Sequence, residues 1–154
     1  MSLEDDIALL EQVPTFAALG RPALQVLAIG AETRELPAGA VLFHAGELAD
    51  GGYLVQEGAL ALETGTFSQA EEVVVGPGGL VGELALIADM VCPATAIAKE
   101  PTVVMRISRS VFRKMLEGYP AAAEQLRAMM GQRLQDWTRE LTAVRRKLEA
   151  SEKK

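Results

Sequence analysis

A mainly β fold, a barrel or sandwich with helices flanking it at both ends, is what this sequence predicts, and three observations carry that expectation. Between Thr33 and about Ile107, short β-favouring runs (Val41–Phe43, Tyr53–Val55, Leu60–Leu62, Val73–Val75, Val103–Met105) alternate with glycine and proline turns. Before that stretch, Leu3 to Gln12 and Pro22 to Ala31 carry apolar residues at helical spacing. From Ser108 onward the pattern reverts to helix.

The 154 residues, 49% of them apolar, suffice for one sizeable core plus an appended helix and are too few for two ordinary domains. The net charge of −6 works against nonspecific attraction to nucleic acid or anionic lipid, because both associations need cations facing phosphates. A single cysteine, Cys92, excludes an intramolecular disulfide, and with one histidine, His44, a Cys/His zinc site has too few ligands. No stretch approaches the roughly 18 uninterrupted apolar residues of a membrane-spanning helix, and the start Met1-Ser2-Leu3-Glu4-Asp5-Asp6 lacks a basic secretory leader. The expectation is a cytoplasmic chain with no membrane partner.

Taken in order, the two N-terminal helices are separated by Pro14 and Gly20, which break the helical pattern. Within the β region, Gly39, Gly46, Gly58 and Gly78 suit tight turns at positive φ. Ser108 or Ser110 caps the next helix, Pro120 interrupts it after Tyr119, and a longer helix begins near Ala121. In that last helix Met130, Leu134, Trp137, Leu141, Val144 and Leu148 are spaced four, three, four, three, four, the alternation that keeps one apolar seam facing a partner helix. Arg127 falls in the same seam and weakens its start. The seam either packs on its own barrel or joins two copies; its length favours a parallel, two-fold homodimer. The tail from Arg145 to Lys154 reads as a solvated end.

Individual motifs sharpen this outline. Pro37-Ala38-Gly39-Ala40-Val41-Leu42-Phe43-His44-Ala45-Gly46-Glu47 is a proline-x-glycine opening followed by an apolar run and a second glycine, and it continues through Ala49-Asp50, Tyr53-Leu54-Val55 and Gly58. Further on comes Val75-Gly76-Pro77-Gly78-Gly79-Leu80-Val81-Gly82-Glu83-Leu84-Ala85-Leu86. This ordered set resembles the cyclic nucleotide-binding domain of bacterial regulators, kinase regulatory subunits and gated channels, over about Leu9 to Leu148. The resemblance implies N-terminal helices over residues 1–32, a jelly-roll or β-roll sensor core over 33–107 with a phosphate-binding cassette at 82–97, C-terminal helices over 108–150 including the dimerisation helix, and a tail at 151–154.

The cassette supplies the candidate ligand-binding residues Gly82, Glu83, Leu84, Ala85, Cys92, Pro93, Ala94 and Thr95. A glycine lets a ligand approach the backbone, and a helix start beyond it presents N–H groups to an anion. By resemblance, Glu83 accepts hydrogen bonds from a ribose hydroxyl; the other reading is a glutamate merely favourable at a helix N-terminus. The family places an arginine nine residues after that glutamate, for the cyclic phosphate, and then a small residue whose backbone N–H also donates. Here those positions hold Cys92 and Pro93, and proline has no N–H to give. The lost charge-assisted contact forfeits about 1.5–3 kcal/mol. Arg34, Lys99, Arg106 and Arg109 flank the barrel as substitute cations. Cys92 reads as a small buried residue rather than a redox thiol, and His44 as a surface or edge residue rather than a ligand.

Catalysis is not expected, because neither the one cysteine nor the one histidine has a recognisable supporting partner. No cofactor is expected either. A complete DNA-binding regulator of the resembled type would continue beyond the long helix, so no DNA partner is expected. Two readings remain: a sensor for cyclic AMP, cyclic GMP or another small ligand that answers to some downstream protein, and a ligand-free module for protein–protein assembly.

Overall fold

Strand parity organises the molecule. In the seven-residue strand Thr102–Ser108, Met105 and Ile107 join one apolar cluster, while Val104 joins another on the opposite face, as the two-residue period of a strand requires. The computed structural model describes residues 3–64 and 71–129. In chain order its strands are Glu32–Leu36 (β1), Val41–Phe43 (β2), Leu48–Ala49 (β3), Gly51–Glu57 (β4), Leu60–Thr64 (β5), Glu71–Val75 (β6), Leu80–Val81 (β7), Met90–Val91 (β8), Thr95–Ala98 (β9) and Thr102–Ser108 (β10). One antiparallel sheet runs β1-β10-β4-β7, a second β2-β9-β5-β6, and β3 pairs with β8 as a short ribbon. Helices Leu3–Glu11 (α1), Pro14–Ala17 (α2), Arg21–Gly30 (α3) and Arg109–Gly118 (α4) flank the sheets, and residues 120–129 are helical too. The mainly β fold with flanking helices is therefore the fold observed.

Two cores follow from the parity. The outer face of the first sheet, through Leu54, Met105 and Ile107, packs against Leu10, Phe16 and Leu27 of the N-terminal helices and against Phe112 and Met115 of α4. The rings of Phe16 and Phe112 lie 6.2 Å apart, tilted by 39°. The inner face contributes Val55, Val81 and Val104, which meet Leu60 and Ala98 of the second sheet inside the barrel.

The five apolar runs all fall within strands, and β2 matches its run residue for residue. The other five strands carry no such signal. β1 reads Glu-Thr-Arg-Glu-Leu, β9 is half alanine, and β3, β7 and β8 are two residues each, too short to show a period. Pro14 does not simply end α1; it opens α2 at the first helical position, where its missing N–H does no harm. Gly39, Gly46, Gly58 and Gly78 all have positive φ. At Gly58 (φ +85°) any Cβ would also sit 2.5 Å from the Pro101 carbonyl oxygen. Ser108 caps α4, its hydroxyl accepting the Val111 N–H at 3.1 Å, and Tyr119 interrupts the helix before Pro120. The seam Met130, Leu134, Trp137, Leu141, Val144 and Leu148 lies outside the described residues, as does the tail. Among the described residues no helix is long and apolar enough to cross a membrane.

Candidate functional site

A cavity of ≈ 810 Å³ opens on the inner face of the first sheet, walled on one side by Gly82–Ala85 and Cys92–Ala94 and on the other by Arg34, Tyr53 and Arg106. The cassette wall is built from a sharp turn. Gly82 adopts φ 83° and ψ 31° in the left-handed region, where a Cβ would stand 3.0 Å from the Gly51 carbonyl oxygen, so conformation favours glycine and the space for any side chain is tight. Beyond it Glu83–Leu86 makes a single 3-10 turn rather than a longer helix, and the Ala85 N–H donates to Gly82 O at 3.1 Å.

Arg109 holds this turn from behind. Its guanidinium donates to the carbonyl oxygens of Ala85, Ala88 and Ala49, each at 2.8 Å, and pairs with Asp89, while its backbone N–H donates to Asp50 O at 2.7 Å. One side chain thus ties the cassette to the β3 strand. Of the four candidate cations, Arg109 is therefore a positioning residue, and Lys99, paired with Glu72, is likewise absent from the cavity lining. Arg34 and Arg106 do line it.

The predicted site residues are brought together with one exception. Gly82, Glu83, Leu84, Ala85, Cys92, Pro93 and Ala94 all line the cavity; Thr95 does not, and its hydroxyl accepts the Ala45 N–H at 3.0 Å. The Glu83 carboxylate accepts a hydrogen bond from the buried hydroxyl of Thr15 in α2. That contact joins cassette to N-terminal helices across 68 residues of sequence, and no local pattern announces it.

Cys92, which the resemblance sets where an arginine is expected, is 7% exposed. Its N–H donates to Glu47 O at 2.7 Å and its carbonyl accepts the Gly46 N–H at 2.8 Å, so its backbone is committed to the neighbouring turn. Burial pushes the thiol pKa up, and the nearby carboxylates of Glu47 and Asp50 push it further; the group is a neutral thiol at pH 7. This matches the expectation of a small buried cysteine. His44 is exposed, as a surface residue should be; its backbone N–H donates to Glu47 Oε1 at 3.2 Å.

On the opposite wall, Arg106 Nη2 lies 2.8 Å from Asp50 Oδ1 and its Nη1 lies 3.8 Å from Glu32. Burial alone would lower the Arg106 pKa, but hydrogen bonds to Asp50 and to the Tyr53 hydroxyl outweigh it and raise it, so Arg106 is a permanent cation. Arg34 Nη2 lies 3.7 Å from the same Glu32. The rings of Phe43 and Tyr53, 5.7 Å apart, complete this side. Sequence reading assigned no role to Glu47, Asp50 or Tyr53. Their positions within the strand-opening motif were the available signal, but which of them faces a cavity is not a local property. Among the described residues no three His, Cys, Asp or Glu side chains gather in a group that could hold a metal ion.

Comparisons with known proteins agree with this architecture. A cyclic nucleotide-binding-like protein of Brucella abortus, a solved structure, is 40% identical, with a TM-score of 0.67 over 73% of this chain and 98% of that one. The N-terminal domain of a transcriptional regulator from Streptomyces coelicolor is 28% identical, with a TM-score of 0.79 over 86% and 94%. Among curated relatives, an NTE family protein of Mycobacterium tuberculosis is 37% identical over 124 residues, which are 78% of this chain and 20% of that protein. The cyclic AMP receptor protein of Thermus thermophilus is 28% identical over 130 residues, 83% of this chain and 60% of that one. The chain thus spans only part of these curated relatives. The family model for the cyclic nucleotide-binding domain matches residues 33–119, more than half of the sequence, and the chain belongs to that family.

Proposed function

We propose that this chain is the ligand-sensing domain of a regulatory protein, that it takes a small molecule in the ≈ 810 Å³ cavity, and that it holds cyclic AMP or cyclic GMP only weakly. The single observation that carries the reading is the content of the cassette wall. Where the family resemblance calls for an arginine and a small N–H donor, Cys92 and Pro93 line the cavity, and Glu47 and Asp50 bear on that thiol. A cyclic phosphate placed there meets neither a guanidinium nor a proline N–H, and it faces two carboxylates. Two copies pair through the seam Met130 to Leu148, a proposal supported by its four-three spacing.

Calorimetric titration with cyclic AMP and cyclic GMP tests the ligand reading. Wild type should give weak or undetectable heat. Cys92→Arg with Pro93→Ala restores both donors and should recover about 2–4 kcal/mol, roughly one and a half to three decades of affinity. Adding Glu83→Ala to that variant should weaken binding again. Submicromolar binding by the wild type would overturn the reading, and no gain in the double variant would favour the assembly module instead.

A further inference from the structure

We propose that the acid group of this domain's ligand is held by Arg106 and Arg34 on the strand wall of the cavity rather than by the cassette, and that the ligand is a ring-bearing organic anion with a terminal acid, a carboxylate or a phosphate monoester, rather than a cyclic phosphate. The proposal rests on the reading of the cavity as a ligand site and adds the chemistry of what fills it.

The register places the two guanidinium groups together. Glu32, Arg106, Tyr53 and Val81 form one transverse row across the first sheet, and Arg34 pairs with Val104 two residues along, in the next row on the same face. Arg34 and Arg106 are therefore diagonal neighbours on one face, within reach of a shared partner. They do share one: Glu32 lies 3.7 Å from Arg34 and 3.8 Å from Arg106. Both side chains also line the cavity, and an anion that bridges them there receives two cations and the planar donor forks suited to carboxylate and phosphate.

The partners now occupying them are poorly held. The Arg106 side chain is 16% exposed, whereas Asp50 and Glu32 are 73% and 63% exposed. Both guanidinium groups line the cavity, as does Asp50, and the two carboxylates are mostly in solvent, so an incoming anion can displace them into water at little cost. The cassette wall offers no comparable place. Cys92 is neutral there, its N–H is engaged by Glu47 O, and Pro93 has none. A ring has its own seat beside the cations, since Tyr53 neighbours Arg106 in register and Phe43 stacks at 5.7 Å from it, and an apolar body with one fixed polar end is the usual content of such a pocket.

Two fluorescent probes with one ring system test the idea: 8-anilinonaphthalene-1-sulfonate, which is anionic, and N-phenyl-1-naphthylamine, which is neutral. The wild type should prefer the anionic probe. Arg106→Gln, and separately Arg34→Gln, should weaken the anionic probe by about tenfold to a hundredfold and leave the neutral one unchanged. Asp50→Asn removes a competing carboxylate and should tighten the anionic probe about two- to fivefold with the neutral probe unchanged, whereas partial unfolding would raise the binding of both. Displacement by phenyl phosphate or by benzoate then tells which acid is preferred. Equal affinity for both probes, or an anionic probe indifferent to Arg106→Gln and Asp50→Asn, overturns the proposal while leaving the cavity a ligand site. Failure of both probes to bind overturns the proposal and that reading together.

Discussion

The two faces of the β1-β10-β4-β7 sheet are built from alternate residues of the same strands and do different work. On the outer face Leu54, Met105 and Ile107 are fully buried against the helices. On the inner face Val55 and Val104 pack the barrel, and two residues along each strand Tyr53 and Arg106 line the cavity. The outer face is given wholly to packing, whereas the inner face divides between barrel core and cavity lining. Parity keeps the two apart, because a one-residue slip would send Arg106 into the helix core and Ile107 into the cavity. A fold built this way can change its cavity lining without rebuilding what holds it together.

The sharpest way to break that comparison is to cut one residue from each side and unfold the variants in urea. Phe112→Ala empties the outer core beside Phe16 and should cost about 3–5 kcal/mol. Arg106→Ala removes a cation whose Asp50 partner is mostly in solvent, and should cost no more than about 1 kcal/mol. Similar losses from both would mean that the faces are not distinct in function.

Arg109 sharpens the comparison, since it joins α4 to the cassette. Arg109→Ala strips the donors from the Ala49, Ala85 and Ala88 carbonyls and should cost about 1.5–3 kcal/mol, with faster amide exchange concentrated in residues 83–89 rather than spread over the barrel. Arg109→Lys should rescue little, because an ammonium cannot reproduce the fork. Unchanged exchange in that segment would remove its positioning role.

The smallest expected effect is alkaline. Burial, then Glu47 and Asp50, raise the Cys92 pKa above the ordinary 9.0. The folded chain keeps a proton that the unfolded chain sheds, so this contribution is fully present below the ordinary value and is lost as pH rises through the raised one. Stability measured at about pH 8 and about pH 10 should fall less in Cys92→Ala than in the wild type; identical slopes would show the thiol ionising freely.

Much of this was legible from residue types. The turn glycines at 39, 46, 58 and 78, the break at Tyr119 and the five apolar runs all read correctly, and the structure chose Ser108 over Ser110 as the cap, because each depends on the chain within a few residues of itself. Cys92 and Pro93 stand in the cavity wall with Gly82 to Ala85, grouped as the cassette motif grouped them. Less legible was β1, whose charged sequence Glu-Thr-Arg-Glu-Leu pairs with β10 and sends Arg34 inward. The four candidate cations looked equivalent as letters. Packing separated them, placing Arg34 and Arg106 on the cavity, turning Arg109 to the back of the cassette and sending Lys99 to Glu72. Glu83 found its buried partner Thr15 in the same way.

The division has one physical cause. Turn sterics, capping and proline's missing N–H act over a few bonds, so local sequence settles them. Which face of a strand meets water, helix or cavity depends on register with strands far away in the chain, as in the pairing of Glu32 with Arg106 and of Arg106 with Tyr53, and that register is set by burying two apolar faces at once.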